Sequence, residues 1–269
     1  MPPRNVPSRD APYAGRMSAR IPLVAGITAR VVHDVAQEHG DVVDALAAVR
    51  TSLAEQLARL RGVAASELPG ALLDVVVQRH GDLFVLRPAD WEQLRHEEGA
   101  AGRPVPYWAR PWPSGLELAG ALAEAPPAPG TRVLELGCGL GLPSVAAARA
   151  RANVLATDGA EDAVAFAAHA LALNEADAEV AVADWATDAD ALLARGRFDL
   201  VLAADVLYTR ANVETALRLW PKLLAPWGEI RLADPGRAGT RDFLAAARAT
   251  LHVHARTRGD VTIYRLRPR

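Results

Sequence analysis

A parallel α/β sheet with helices on both faces is predicted for the C-terminal two thirds of this chain, and three observations predict it. First, apolar strands and helical stretches alternate in steady order. Strands read at 131–136, 153–157, 179–183, 198–204, 228–233, 251–256 and 260–266, and helices at 142–150, 161–173, 211–224 and 239–249. Such alternation implies parallel strands joined by helical crossovers. Second, the strand ending Val133-Leu134-Glu135-Leu136 runs into Gly137-Cys138-Gly139-Leu140-Gly141, and Pro143 suits the first turn of the helix that follows. Third, only Arg258-Gly259-Asp260 lies near the junction of the last two strands, too little for a crossover, so they close as an antiparallel hairpin. The sum is a seven-stranded, mostly parallel sheet with a C-terminal antiparallel hairpin.

Ahead of it lies an α+β accessory segment. Ile21, Val24, Ile27, Val31 and Val35 share one helical face, and Val42, Leu46, Val49, Leu53, Leu57 and Leu60 share another. Gly40-Asp41 supplies a stop and an N-cap between them, so a helical hairpin is expected. Leu72–Gln78 and Leu83–Arg87 flank Arg79-His80-Gly81-Asp82 and read as a β-hairpin. A proline-rich run, 103–113, carries Tyr107, Trp108 and Arg110, and Ser114-Gly115-Leu116-Glu117 reads as a capping box opening the next helix. The organisation expected is a disordered tail at 1–20, the accessory segment at 21–98 and the α/β domain at 99–269.

Composition excludes several classes. Of 269 residues 51% are hydrophobic, ample for a full core, and the net charge of −2 leaves no excess cation to neutralise phosphates, against a general nucleic-acid binder. No apolar run approaches the ~20 residues of a membrane span. The first twenty residues lack the apolar stretch of a secretory signal. Cys138 is the single cysteine, which rules out a disulfide within the chain and fits a reducing cytoplasm. His252 and His254 alternate on a strand without an acidic or cysteine partner at ligand spacing, so no metal site is expected.

The chemistry concentrates at strand ends. A strand–glycine loop–helix unit binds nucleotides. The dinucleotide pattern needs G-x-G-x-x-G, whereas here the third glycine, Gly141, comes one residue early. Asp158 ends the run Asn153-Val154-Leu155-Ala156-Thr157, where a carboxylate can accept both ribose hydroxyls of an adenosine; capping the helix from Glu161 is its blander role. Glu135, Asp158, Asp184 and Asp205 fall at or just beyond strand ends, so four carboxylates are expected around one crevice.

Glu135-x-Gly137-x-Gly139-x-Gly141 resembles the first motif of the class I, Rossmann-like S-adenosylmethionine (SAM) methyltransferases. Over about Pro104–Leu266 the chain resembles more narrowly the family-16 lysine methyltransferases: Trp112-Pro113-Ser114-Gly115 matches an entry motif near the cofactor, Asp184-Trp185 the adenine-bracketing position, Ala204-Asp205-Val206-Leu207-Tyr208 an Asp-x-x-Tyr motif, and Val261-x-Ile263-Tyr264 the closing strand. Pro106-Tyr107-Trp108-Ala109 and Asp234-Pro235-Gly236-Arg237 are most similar to the branch that methylates the electron-transfer flavoprotein β subunit. The resemblance implies SAM as cofactor, with S-adenosylhomocysteine as product. It places Trp112, Glu135, Gly137, Cys138, Gly139, Gly141, Asp158, Asp184, Trp185 and Ala204 around the cofactor, and Asp205 and Tyr208 at the acceptor.

On this reading a methyl group passes to an amine nitrogen, first of all a lysine on a partner protein. Asp205 would bind and orient the amine, and Tyr208 would add a hydrogen bond or cation–π contact. Two alternatives stay open: a small-molecule N-methyltransferase with the N-terminal segment as a lid, and a SAM-binding protein without catalysis. Asp205 as a helix cap, Tyr208 as an ordinary tyrosine, and Arg237 as either a substrate clamp or a turn residue stay open too, as does a homodimer through the N-terminal helices.

Overall fold

The computed structural model describes residues 42–269. The tail at 1–20, the first helix of the expected hairpin and its Gly40-Asp41 stop lie outside the described residues. The second helix is present as α1, Val42–Arg61, with Val49, Leu53 and Leu57 buried at helical spacing. A short turn, α2 (Gly70–Leu73), precedes the hairpin of β1 (Val75–His80) and β2 (Leu83–Pro88). The hairpin thus begins three residues later than expected. Pro69 starts a helical turn closed by Asp74 N–H on Gly70 O (2.9 Å), which buries Leu72 without a strand partner. Helix α3, Trp91–Ala100, has no counterpart in the sequence reading; the Asp90 side chain caps it by accepting from Gln93 N–H.

Helix α4, Pro113–Glu124, opens the α/β domain, and the expected capping box is absent from it. Trp112 stands at the N-cap with no side-chain cap, Pro113 takes the first position, and the Ser114 hydroxyl is buried without a partner. Glu117 instead accepts from Arg258 Nε (2.8 Å) on the C-terminal hairpin.

The sheet then builds as β3 (Arg132–Leu136), α5 (Leu142–Arg149), β4 (Asn153–Asp158), α6 (Glu161–Leu173), β5 (Glu179–Val182), α7 (Ala189–Ala194), β6 (Phe198–Ala204), α8 (Arg210–Leu223), β7 (Leu224–Asp234), α9 (Ala238–Ala247), β8 (Leu251–Arg258) and β9 (Val261–Pro268). Strand order is β5-β4-β3-β6-β7-β9-β8, with β9 antiparallel to both β7 and β8. The chain walks outward from β3 to β5, then returns to place β6 on the other side of β3. That reversal opens a crevice at the C-terminal ends of β3 and β6.

Two apolar layers sandwich the sheet. One face, with Leu134, Leu136, Trp220, Phe243 and Leu266, packs on α8 and α9. The other joins Val133, Val145 and Phe166 to Leu53 and Leu57 of α1, Val85 of β2 and Leu94 of α3. The described accessory residues therefore share one continuous core with the sheet. A polar bolt reinforces the join: Arg61 Nε donates to Asp162 (2.8 Å) and its Nη2 to Glu98 (3.0 Å), all three side chains nearly dry. Asn174 at the end of α6 exchanges two hydrogen bonds with the Phe84 backbone, holding the hairpin as a neighbouring strand would. Among the described residues no helix is long and apolar enough to cross a membrane.

Candidate functional site

The glycine loop is shaped first by packing. Gly137 adopts φ +70°, and a Cβ there would lie 2.8 Å from Val206 Cγ1; Gly141 adopts φ +80°, and a Cβ would lie 3.0 Å from Ala167 Cβ. The loop is thereby pressed between the start of the Asp-x-x-Tyr segment and α6. Its backbone is held by Cys138 N–H on Thr157 O (2.9 Å) and by Gly139 N–H on the Asp158 carboxylate (2.9 Å). The other Asp158 oxygen accepts from Ala160 N–H (2.9 Å), so Asp158 braces both loops at the strand ends rather than capping α6.

Beneath the loop, Glu135 is 1% exposed and accepts a short hydrogen bond from the Ser144 hydroxyl of α5. Burial pushes its carboxyl up to about 8, against the lowering effect of the Ser144 hydroxyl. Burial also pushes Asp158 up, and the neighbouring Asp184 adds to the rise. The Cys138 thiol is buried and pushed up as well, which keeps it neutral and unreactive.

An open cleft lies along this loop. Trp112, Glu135, Gly137, Cys138, Gly139, Gly141 and Ala204 line it, together with Trp108 and Arg110 from the proline-rich run. Asp158, Asp184 and Trp185 do not line it. Asp184 is exposed and accepts from Ala186 N–H (2.9 Å), while Trp185 is 7% exposed and packs on Trp220 with ring centroids 5.8 Å apart. Trp185 is thus a core ring under the crevice, not the open adenine platform expected of it.

Trp108 anchors the proline-rich run, its ring 5.0 Å from Phe166, and it also walls the cleft, its carbonyl 3.3 Å from where a Gly139 Cβ would stand. A Pro-Tyr-Trp-Ala run has no periodicity from which to tell these roles apart. Trp112 holds its place by donating Nε1–H to Tyr107 O (2.7 Å).

Asp205 follows β6 with φ +60°, its N–H donating to Ala233 O (2.9 Å). It caps no helix: Thr209 takes that role for α8, accepting from Asn212 N–H. Nor does it lie open at the cleft. Its side chain is 7% exposed and paired to the Arg237 guanidinium, which the Asp234-Pro235-Gly236 turn delivers across β7. Tyr208 is exposed at the rim, its ring 6.2 Å from that of Tyr107.

Residues 116–241 match a family model described as lysine methyltransferase. The electron transfer flavoprotein beta subunit lysine methyltransferase of Danio rerio is 32% identical over 142 residues, 52% of this chain and 54% of the relative, so the chain spans about half the length of that protein. Among solved structures, a chain from Streptococcus mutans assigned to the SAM-dependent methyltransferases matches with a TM-score of 0.53 at 13% identity, over 74% of this chain and 56% of the other. A TehB-like SAM-dependent methyltransferase from Corynebacterium glutamicum matches with a TM-score of 0.47 at 20% identity, over 66% of this chain and 96% of the other.

The residues at the cleft fit that cofactor. Two carboxylates, the buried Glu135 and the half-buried Asp158, stand at one end of the sheet with no cationic side chain on either among the described residues, and desolvation pushes both up. A guest carrying a sulfonium and an ammonium supplies the positive charge they lack. When bound, SAM supplies an activated methyl group; Glu135, Asp158 and the glycine loop are the residues to hold it. Over residues 116–241 the chain is therefore similar to the lysine methyltransferases, on a fold shared with SAM-dependent methyltransferases.

Proposed function

We propose that the protein methylates an amine nitrogen, and that the acceptor is a lysine side chain of a partner protein. The observation that carries this is the aromatic pair: Tyr107 and Tyr208, both more than half exposed, are tilted against each other, and Tyr208 lies near enough to Asp158 and Asp184 to feel their charge. Aromatic faces flanking an acidic site suit an alkylammonium chain. The 32% identity to a lysine methyltransferase supports the same acceptor.

Asp205 has a particular part in this reading. A free carboxylate would hold the amine as its ammonium, which has no lone pair with which to attack. Paired to Arg237 and closed off from the cleft, Asp205 escapes that trap and serves to position the segment that carries Tyr208. The nitrogen lone pair forms the new N–CH₃ bond as the sulfur–methyl bond breaks, and a proton leaves the nitrogen for water.

The small-molecule alternative needs a roof. The described hairpin β1–β2 packs on α5 and α6, and of the described residues before α4 only Trp108, Arg110, Pro111 and Trp112 line the cleft. An open mouth favours a protein substrate.

The test is transfer of radiolabelled methyl from SAM into a lysate split by size into macromolecules and metabolites. Label recovered as methyl-lysine in a protein band, and lost with Tyr208→Ala, supports the reading. Label confined to the metabolite fraction replaces it with the small-molecule one, and no label in either fraction, with SAM bound, leaves a cofactor-binding protein without turnover.

A further inference from the structure

Arg110 is unusual among the arginines near the sheet. Arg231, Arg237, Arg258 and Arg265 each pair with a carboxylate. Arg110 has no such partner among the described residues; its contacts are two indole rings, Trp91 and Trp112, each 5.0 Å from the guanidinium carbon. Neither ring is free to drift. Trp91 donates Nε1–H to Pro106 O (2.9 Å) and Trp112 donates to Tyr107 O (2.7 Å).

A guanidinium set over two indole rings and engaged by no carboxylate among the described residues keeps N–H groups free, and these suit a planar carboxylate bidentately. These groups belong to a residue lining the same cleft as Glu135 and the glycine loop. Helix α4 begins three residues further on with no side-chain cap, and Gly115 of its first turn lines the cleft too, so the positive end of its dipole adds to the field. The cofactor has one anionic group, the α-carboxylate of its amino-acid end.

We infer that Arg110, set over Trp91 and Trp112, binds the α-carboxylate of SAM and of its product. It follows that the accessory segment helps to build the cofactor site, since Trp91 lies on α3.

The inference rests on the cofactor reading and not on the acceptor, so it is tested by binding. Calorimetric titration of the full chain compares S-adenosylhomocysteine with its decarboxylated analogue, S-adenosyl-3-thiopropylamine, which differs only in lacking the carboxylate. The wild type is expected to prefer the former roughly 10–100-fold, the effect of one charge-assisted pair. Arg110→Gln removes the preference and leaves the affinity for the analogue unchanged; Arg110→Lys restores part of it. Trp91→Leu, which removes one of the two rings, reduces the preference without abolishing it.

A wild type that binds both alike, or an Arg110→Gln variant that keeps the preference or weakens both ligands equally, overturns the inference alone. Failure of the wild type to bind either ligand overturns it together with the methyltransferase reading.

Discussion

The Arg237 guanidinium pairs with the Asp205 carboxylate across 32 residues of sequence, joining the turn after β7 to the end of β6. The fully buried Asp234 makes that reach possible by accepting the N–H of both Gly236 and Arg237 at 2.7 Å. The pair is thus built from below, and Asp205 depends on it because its side chain is 7% exposed. Arg237→Met is expected to lower unfolding free energy by about 1–3 kcal/mol, the cost of leaving a buried charged acceptor without its donor. Asp205→Asn added to Arg237→Met should recover about 1 kcal/mol, since it removes the orphaned charge while tolerating φ +60°. Urea unfolding of the two single variants and the double variant measures this; additive losses would show that the two side chains are not coupled.

Glu135 makes the fold sensitive to pH in a definite direction. Its carboxyl lies near 4.5 in the unfolded chain and is pushed up to about 8 in the fold by burial. Between those values the folded chain keeps a proton that the unfolded chain has released. Stability from this group is therefore full below pH 4.5, falls by at most about 1.4 kcal/mol per pH unit as pH rises through the window, and levels off above pH 8. Glu135→Gln, which cannot ionise, should flatten this part of the profile, and the variant should gain on the wild type between pH 6 and pH 8. Thermal unfolding of both proteins across that range is the measurement; parallel curves would mean that Glu135 is charged in the fold throughout.

The elements that could be read from sequence are those with local signals. Alternation of apolar runs located all seven strands of the main sheet, and the glycine spacing located the turn between β3 and α5. Where the reading failed, a distant contact had overridden a local pattern. Ser114-x-x-Glu117 has the form of a capping box, but Glu117 is claimed by Arg258, 141 residues away, and Trp112-Pro113 starts the helix instead. Trp185 was read as an open aromatic face because it follows Asp184 at a strand end. Only the packing of Trp220 beneath it shows that the ring belongs to the core. The contact of Trp91 with Arg110 has no local signal because neither residue lies in a periodic stretch, and it joins α3 to the proline-rich run.

The glycine loop separates two kinds of steric demand. At Gly137 an added methyl meets Val206 Cγ1 at 2.8 Å, the tip of a side chain; at Gly141 it meets Ala167 Cβ at 3.0 Å and Ala167 Cα at 3.1 Å, the body of α6. Both positions also have positive φ, which costs an ordinary residue about 1–2 kcal/mol. Crowding adds about 1–3 kcal/mol at either site. Gly137→Ala should therefore be partly rescued by Val206→Ala, which clears the clash and leaves only the backbone cost. No trimming of a side chain can clear the α6 backbone from Gly141→Ala, so that variant should lose about 2–5 kcal/mol and, with the loop displaced, its affinity for S-adenosylhomocysteine as well. Chemical unfolding and calorimetric titration of the same samples decide it. A Gly141→Ala protein with wild-type stability and affinity would show that the loop does not rest on α6.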